Sequence, residues 1–405
     1  MKRYLKDYVL TVGKVEDAIY DCLKNKWRRR DVSYFLAEYM MKDDEDIHSV
    51  ARRCKKIAYY KSTRYLLYET ITKAAVAIYT EIENRKIILR PIEYQYRYDI
   101  ASDKMREIGI SSIKQQIYDY LVVNACKKML MAKIGFYQAA SIKHRGQVFG
   151  KKAIERWIRN DKKNTKCYYK CDIKKYYPSV NKRILKRMLR RDIKDNDILY
   201  VAFFLIDTYK GGLCIGSYLS QFLANYYLSY AYHYITEQSY SVRIKKNRKQ
   251  IRINHVKHVL FYMDDIIIFS SSMKLLKRAI RDFNWYIANK LELVVKPNSE
   301  IGNARTSRID MMGYYMSIKN TLIRPKIFKK LSRLFLRLKN RSTRFSLHIS
   351  RRALSFYGWV KHSNLYNFVH KFKINKTIYK CKKEVGYHDK CNFYRETDQL
   401  QLLSA

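Results

Sequence analysis

Three aspartates carry the chemistry that is easiest to read in this 405-residue chain. Asp264 and Asp265 stand together in the run His258-Val259-Leu260-Phe261-Tyr262-Met263-Asp264-Asp265-Ile266-Ile267-Ile268-Phe269. Apolar runs of this length make strands, and acids between them fall at the turn. A hairpin of that kind keeps its flanks in the core while its acids reach a cleft. Neighbouring carboxylates repel each other and call for a cation; a solvated Asp-Asp turn is the competing reading of the pair alone. Asp172 favours the first reading, because it ends a second apolar and aromatic strand, Tyr168-Tyr169-Lys170-Cys171-Asp172. Two strands that each deliver an acid at one edge can bind a pair of hard cations through oxygen ligands. Two such ions, ~3.5–4 Å apart, clamp the attacking and leaving oxygens of an in-line phosphoryl displacement.

The elements that must position these acids follow from the pattern around them. Pro and Gly number only 4 and 12, so helices should dominate and turns should be few. Residues 1–90 read as amphipathic helices, with Asp43-Asp44-Glu45-Asp46 as a helix start or a solvated loop. Lys86-Ile87-Ile88-Leu89-Arg90 and Lys104-Met105-Arg106-Glu107-Ile108 read as strands, and 112–133 as a helix. A basic loop around His144-Arg145-Gly146 precedes a helix through Trp157. A strand at 167–172 comes next, followed by helix over 181–208 and a Gly211-Gly212 turn into a long helix after Gly216. A basic spacer, 243–252, leads to the acidic hairpin. Helix 272–290, strand 291–295, strand 309–317 and a helical remainder from Pro325 complete the chain. This order predicts an α+β fold, an antiparallel sheet with helices on one face.

The charge balance points to a polyanion. Lys and Arg total 83 against 36 Asp and Glu, a net charge of +47 spread along the whole chain. That much self-repulsion costs stability unless an anionic partner offsets it, and nucleic acid is the expected one. The 38 Tyr suit stacking on bases, although a Lys- and Tyr-rich codon bias would also produce them. Eight scattered Cys show no disulfide framework and predict reduced thiols in a cytoplasm. Cys381, His388 and Cys391 match no common zinc spacing. No signal peptide and no membrane span is expected; 218–235 is greasy but reads as a core helix.

At these residues the chain resembles the reverse transcriptases. Tyr262-Met263-Asp264-Asp265 resembles their catalytic box, and the stretch from Asp172 to Val180 their first catalytic motif. Leu213 to Gln221 is similar to the motif that contacts template and nucleotide, Leu291 to Lys296 to a palm motif, and Ile309 to Tyr314 to the primer grip. The likeness spans 85–370. It implies a right-hand polymerase with a helical N-terminal extension (1–84), fingers (85–165), palm (166–317), helical thumb (318–375) and basic tail (376–405). It implies two Mg2+ ions, or Mn2+, held by Asp172, the Ile173 carbonyl, Asp264 and Asp265. It further implies nucleotide contacts from Lys104, Arg106, Tyr177, Ile215, Gly216, Gln221 and Lys296, with Tyr177 as a sugar gate, and a primer grip at Met312, Gly313 and Tyr314. Lys296 would act as general acid.

The segment from Ile215 to Gln221 is most similar to the diversity-generating retroelement enzymes, because most reverse transcriptases carry Gln at position 215 and Pro at position 221. Bacterial defence reverse transcriptases and group II intron enzymes are the alternatives, and a catalytically silent RNA-binding protein is the non-enzyme one. Two departures stand out: Cys214 where a Pro is usual, and Ser299 where many relatives have Lys. Expected partners are an RNA template, a DNA primer strand and dNTPs. The likeness also leaves room for a structured non-coding RNA and a small accessory protein, in a bacterial or phage-encoded setting.

Overall fold

The structure is a computed structural model that describes residues 3–99, 104–245, 247–341 and 344–403, with side chains described as far as His388. Four helices open the chain: α1 (Val12–Leu23), α2 (Arg30–Met40), α3 (Ile47–Tyr59) and α4 (Tyr68–Glu83). Asp46, the last acid of the acidic run, caps α3 by accepting from the Ser49 amide at 2.9 Å. The hairpin β1 (Glu93–Asp99) and β2 (Lys104–Ile110) follows. Lys86-Ile87-Ile88-Leu89-Arg90, expected as a strand, instead runs into β1 without a ladder partner.

Next come α5 (Ile113–Lys133), β3 (Gln138–Ala139), α6 (Gln147–Asn160) and β4 (Cys167–Asp172). The expected helix over 181–208 is preceded by the short α7 (Tyr176–Ser179) and divides into α8 (Lys182–Asp192) and α9 (Asn196–Thr208), the latter started by Asp195 as N-cap. Beyond them lie α10 (Tyr218–His233), β5 (Tyr240–Ile244), β6 (Gln250–Asn254), β7 (His258–Tyr262), β8 (Asp265–Ser270) and α11 (Met273–Leu291). The two ends of the 243–252 stretch read as a spacer therefore belong to the arms of a hairpin. Both faces of β5 and β6 stay largely in solvent, so no apolar alternation marks them.

The C-terminal third holds β9 (Glu300–Asn303), β10 (Ile309–Met311), β11 (Tyr314–Met316), β12 (Thr321–Ile323) and the helices α12 (Pro325–Lys339), α13 (Leu347–Lys361), α14 (Tyr366–Lys371) and α15 (Ile374–Leu403). The single strand expected at 309–317 is a meander, because a turn at Met312-Gly313 folds β10 back on β11. The strand expected at 291–295 is an extended segment with one bridge, Ile173 to Val295. No helix among the described residues is long and apolar enough to cross a membrane.

A five-stranded sheet, β3-β7-β8-β4-β9, organises the centre, antiparallel except where β3 runs parallel to β7. Both faces are covered, which corrects the expectation of helices on one face. Successive side chains alternate between faces. Tyr169, Cys171, Phe261, Ile266 and Ile268 join a core that includes α10 and α11 and extends into the N-terminal helices, as far as Leu10 just before α1. Tyr168, Leu260, Ile267 and Phe269 join a second core with Ile154 and Trp157 of α6, Met311 and Met316 of the meander, and Leu331 and Phe335 of α12. Burial on both sides explains why β7 and β8 read as continuous apolar runs.

Candidate active site

The acids meet at one end of this sheet. Asp172, the last residue of β4, is the cross-strand partner of Asp265, the first of β8, and Asp265 also faces Tyr262 of β7. The β7–β8 turn is only Met263 and Asp264. Met263 is buried with φ at 54°, a left-handed conformation uncommon for a side chain of this kind. The turn is pinned to β4, since the Ile173 amide donates to the Asp264 carbonyl at 3.1 Å. Strand geometry puts the Ile173 carbonyl on that same edge. On the other edge the Lys296 amide donates to the Asp172 carbonyl at 2.9 Å, and Lys296 Nζ lies 3.5 Å from Asp172 Oδ1. Main-chain bonds thus set the position of Lys296 as well as of the acids.

Burial pushes the Asp265 carboxyl up to about 7; Asp172 and Asp264 push the same way, while Lys170 and Arg324 oppose it. Asp264 is raised too, first by burial and then by Asp172, with Lys296 and Arg106 opposing. Lys170 lies two residues before Asp172 on β4 and so shares its face. Arg324 is itself held by Asp310, at 2.7 Å from Asp310 Oδ1. Sequence reasoning missed these two cations. Period-two spacing would have revealed Lys170, whereas nothing local marks Arg324.

The donor set suits a hard divalent cation. Asp265 Oδ1 is buried with no hydrogen-bond partner among the described residues, a costly state for a carboxylate oxygen unless a cation meets it. Carboxylate and carbonyl oxygens are what Mg2+ or Mn2+ prefers. Among the described residues no group of three His, Cys, Asp or Glu side chains is placed so as to hold a metal ion by itself. An arrangement of two strand ends and a backbone carbonyl is open, which leaves room for oxygens of a substrate.

Tyr177 is the second residue of α7, which starts directly after the left-handed Lys175 at φ 46°. Its backbone carbonyl accepts from the Leu213 amide at 2.7 Å, and its ring meets that of Tyr176 edge-on at 5.8 Å. Burial and the Asp264 charge raise the Tyr177 hydroxyl, and Arg106 opposes them. Arg106, Tyr177 and Asp264 therefore feel one another across β2, α7 and the acidic turn. Lys104 lies at the start of β2, but its side chain lies outside the described residues.

The loop before α10 is clasped against β2. The Gly109 amide donates to the Ile215 carbonyl at 2.8 Å. Gly216 adopts φ 115°, and a Cβ there would stand 2.4 Å from the Gly109 carbonyl. The close approach that requires glycine at 216 is thus made by the protein's own backbone, while Ile215 is half-buried and Gly216 exposed. Ser217 caps α10 and donates at 2.8 Å to Asp119 of α5, which also accepts from the Tyr218 amide at 3.1 Å. Asp119 is fully buried, and burial raises its carboxyl to about 6. It is a supporting residue that sequence reasoning passed over; a lone acid in the apolar run from Ile117 to Val123 was the available signal. Gln221 is half-buried on the first turn of α10.

The predicted primer grip lies at the β10–β11 turn. Met312, Gly313 and Tyr314 are all buried. Met312 and Gly313 both take positive φ in the β10–β11 turn, and a Cβ on Gly313 would stand 2.6 Å from the Trp359 ring. Gln147 donates to the Met312 carbonyl, and Tyr314 packs on Trp359 with ring centroids 5.0 Å apart. As placed, these three residues pack between α6 and α13.

Residues 98–299, about half of the chain, match the sequence model of a family described as Reverse transcriptase (RNA-dependent DNA polymerase). No curated protein matches the chain. Among solved structures the chain is similar to a telomerase from Candida albicans, described in complex with a TWJ fragment of telomeric RNA. That likeness has 12% identity and a TM-score of 0.40, over 79% of this chain and 65% of that one. It is also similar to an apo telomerase from Candida tropicalis, at 11% identity and a TM-score of 0.44, over 98% and 81%. The chain spans just under two thirds of the first of these structures.

Proposed function

We propose, from the reverse transcriptase domain matched at residues 98–299, that the chain is an RNA-directed DNA polymerase working by nucleotidyl transfer. The observation that carries this reading is the meeting of Asp172 with Asp264 and Asp265 at one sheet end, within electrostatic reach of Arg106 and Lys296. Asp172, the Ile173 carbonyl, Asp264 and Asp265 would hold the divalent cations. Bound there, Mg2+ or Mn2+ would supply acidity to a primer 3′-hydroxyl and neutralise charge on departing pyrophosphate.

The chain's own groups do the rest. Arg106 and Lys296 offer positive charge to the triphosphate, and Lys296 can pass a proton from Nζ to a pyrophosphate oxygen as the bond to the α-phosphorus breaks. The Tyr177 ring lies under the incoming sugar and excludes a 2′-hydroxyl. Asp119, through Ser217, holds the Ile215-Gly216 backbone against β2 so that the forming pair meets a fixed surface. In this reading 85–165 act as fingers, 166–317 as palm and 318–375 as thumb around an RNA template and a DNA primer. Primer extension on an RNA template tests it: Mg2+-dependent dNTP incorporation by the wild type, lost in Asp172→Asn, is expected. Absence of extension by wild type under any divalent cation supports the silent RNA-binding alternative.

Ile215 favours a low-fidelity enzyme of the diversity-generating kind. A Gln there would offer hydrogen bonds to penalise misfit pairs, whereas an apolar surface discriminates less. A defence role is the second reading, with a structured RNA or a small accessory protein as partners in either case.

A further inference from the structure

The N-terminal helices lie outside the matched domain and carry a surface that the polymerase reading does not use. On α3, Arg52, Lys55, Lys56 and Tyr59 recur at helical spacing, so they share one face, opposite the buried Val50, Ala51, Cys54 and Ala58. Together with Tyr60 they line a concavity of about 370 Å³. Its lining contains no acid. None of the three cations forms an ion pair among the described residues. Asp46 feels Arg52 but spends its carboxylate on the amide that starts the helix. Two nearby exposed cations are matched, Arg53 by Glu45 and Arg29 by Asp31.

Like charges three and four residues apart destabilise a helix. The helix C-terminus favours Lys56 in its last turn, but it gives no reason for an aromatic-lined hollow beside it. Tyr59 is 39% exposed. Arg28 stacks on its ring at 4.1 Å and donates to its carbonyl at 3.1 Å, while Tyr60 braces it edge-on at 4.8 Å. An aromatic ring held upright beside a row of unmatched cations is a stacking platform next to phosphate-binding charge.

We propose that this hollow is a second nucleic-acid site, separate from the catalytic cleft, which takes an unpaired segment of RNA. One base stacks on Tyr59, and the flanking phosphates meet Arg52, Lys55 and Lys56. A single strand fits better than a duplex, because a duplex has no free base face to offer a hollow of this size. The test uses the full chain with its cleft saturated by an unlabelled primer–template duplex. Binding of a fluorescent twelve-residue oligouridylate is followed by anisotropy over a range of salt.

The triple variant Arg52→Ala, Lys55→Ala, Lys56→Ala should bind at least about tenfold more weakly. Its log–log salt slope should be shallower by roughly 2, at about 0.7 for each single-strand phosphate that the variant no longer neutralises. Tyr59→Ala should weaken binding about tenfold without changing the slope. Primer extension on a short duplex should be unchanged in both, so loss of extension in wild type would touch only the polymerase reading. Equal affinity and slope in wild type and triple variant overturn the proposal, as does binding of anionic phosphatidylserine vesicles that the variant loses while RNA binding stays intact. All four altered side chains are exposed, and thermal unfolding of each variant is the check that it folds.

Discussion

Asp172 and Asp265 face each other as the terminal pair of the β4–β8 ladder, and Asp265 Oδ1 is buried without a hydrogen-bond partner among the described residues. Two carboxylates so placed repel each other, and Lys170, Lys296, Arg106 and Arg324 hold the local charge in check. An arrangement that costs stability and is fastened by main-chain bonds belongs to a site rather than to a core.

Asp172→Asn or Asp264→Asn should abolish primer extension, by a factor of about 10³ or more if electrostatic stabilisation is the main term. RNA affinity should stay equal or rise, since a repulsive charge is removed. Retention of more than a few per cent of wild-type Mg2+-dependent extension by either variant would remove these residues from the reaction.

Asp265 makes the metal-free protein sensitive to pH. Its folded value of about 7 lies above the ordinary 3.8, so between those limits the folded chain holds a proton that the unfolded chain has lost. The contribution of this group to stability therefore falls as pH rises through that window. A divalent cation binds the ionised form, so Mg2+ should raise the Tm more at pH 8 than at pH 6. Asp265→Asn should make the Mg2+ shift small at both. Equal shifts in wild type at pH 6 and pH 8 would count against the assignment.

Tyr177→Val should raise ribonucleotide incorporation by an order of magnitude or more with little change in dNTP use. Its backbone carbonyl, which accepts from Leu213, is kept by the substitution. If the variant excludes ribonucleotides as well as wild type does, the ring is a packing residue and the gate lies elsewhere.

Ile215→Gln should lower misincorporation at modest cost in rate. Sequencing cDNA made by both proteins on one RNA reads this directly. The diversity-generating reading requires wild-type errors concentrated opposite template adenine. An accurate wild type, or errors without that preference, would move the defence reading ahead.

Asp119→Ala should leave the Tyr218 amide without its acceptor and the Ser217 hydroxyl with only Tyr209 and the Ser220 amide beside it, at about 1–3 kcal/mol. Asp119→Asn keeps an acceptor and should recover most of the stability. If Asp119 positions the Ile215 loop, the alanine variant also raises the KM for dNTP while Asn restores it. A stability loss with unchanged kinetics would reduce Asp119 to a structural buttress.

Much of this protein was legible in one dimension. Strand β4 and the β7–β8 hairpin follow from apolar runs ending in acids, and α5, α10 and α11 from the length of their helical stretches, because these signals are local and strong. The charge of +47 and the identity of the three acids need no coordinates either. The exposed β5–β6 hairpin left no trace, since neither of its faces is buried enough to impose a period. Tertiary structure alone decided the rest. It set Asp172 opposite Asp265, brought the charges of Arg106 and Arg324 to the acids from β2 and the edge of α12, and gave Asp119 its place beneath the Ile215 loop. It also buried Met312, Gly313 and Tyr314, the last two against Trp359. Each of these depends on which strand edge or helix face meets another far along the chain, and no short-range preference encodes that meeting.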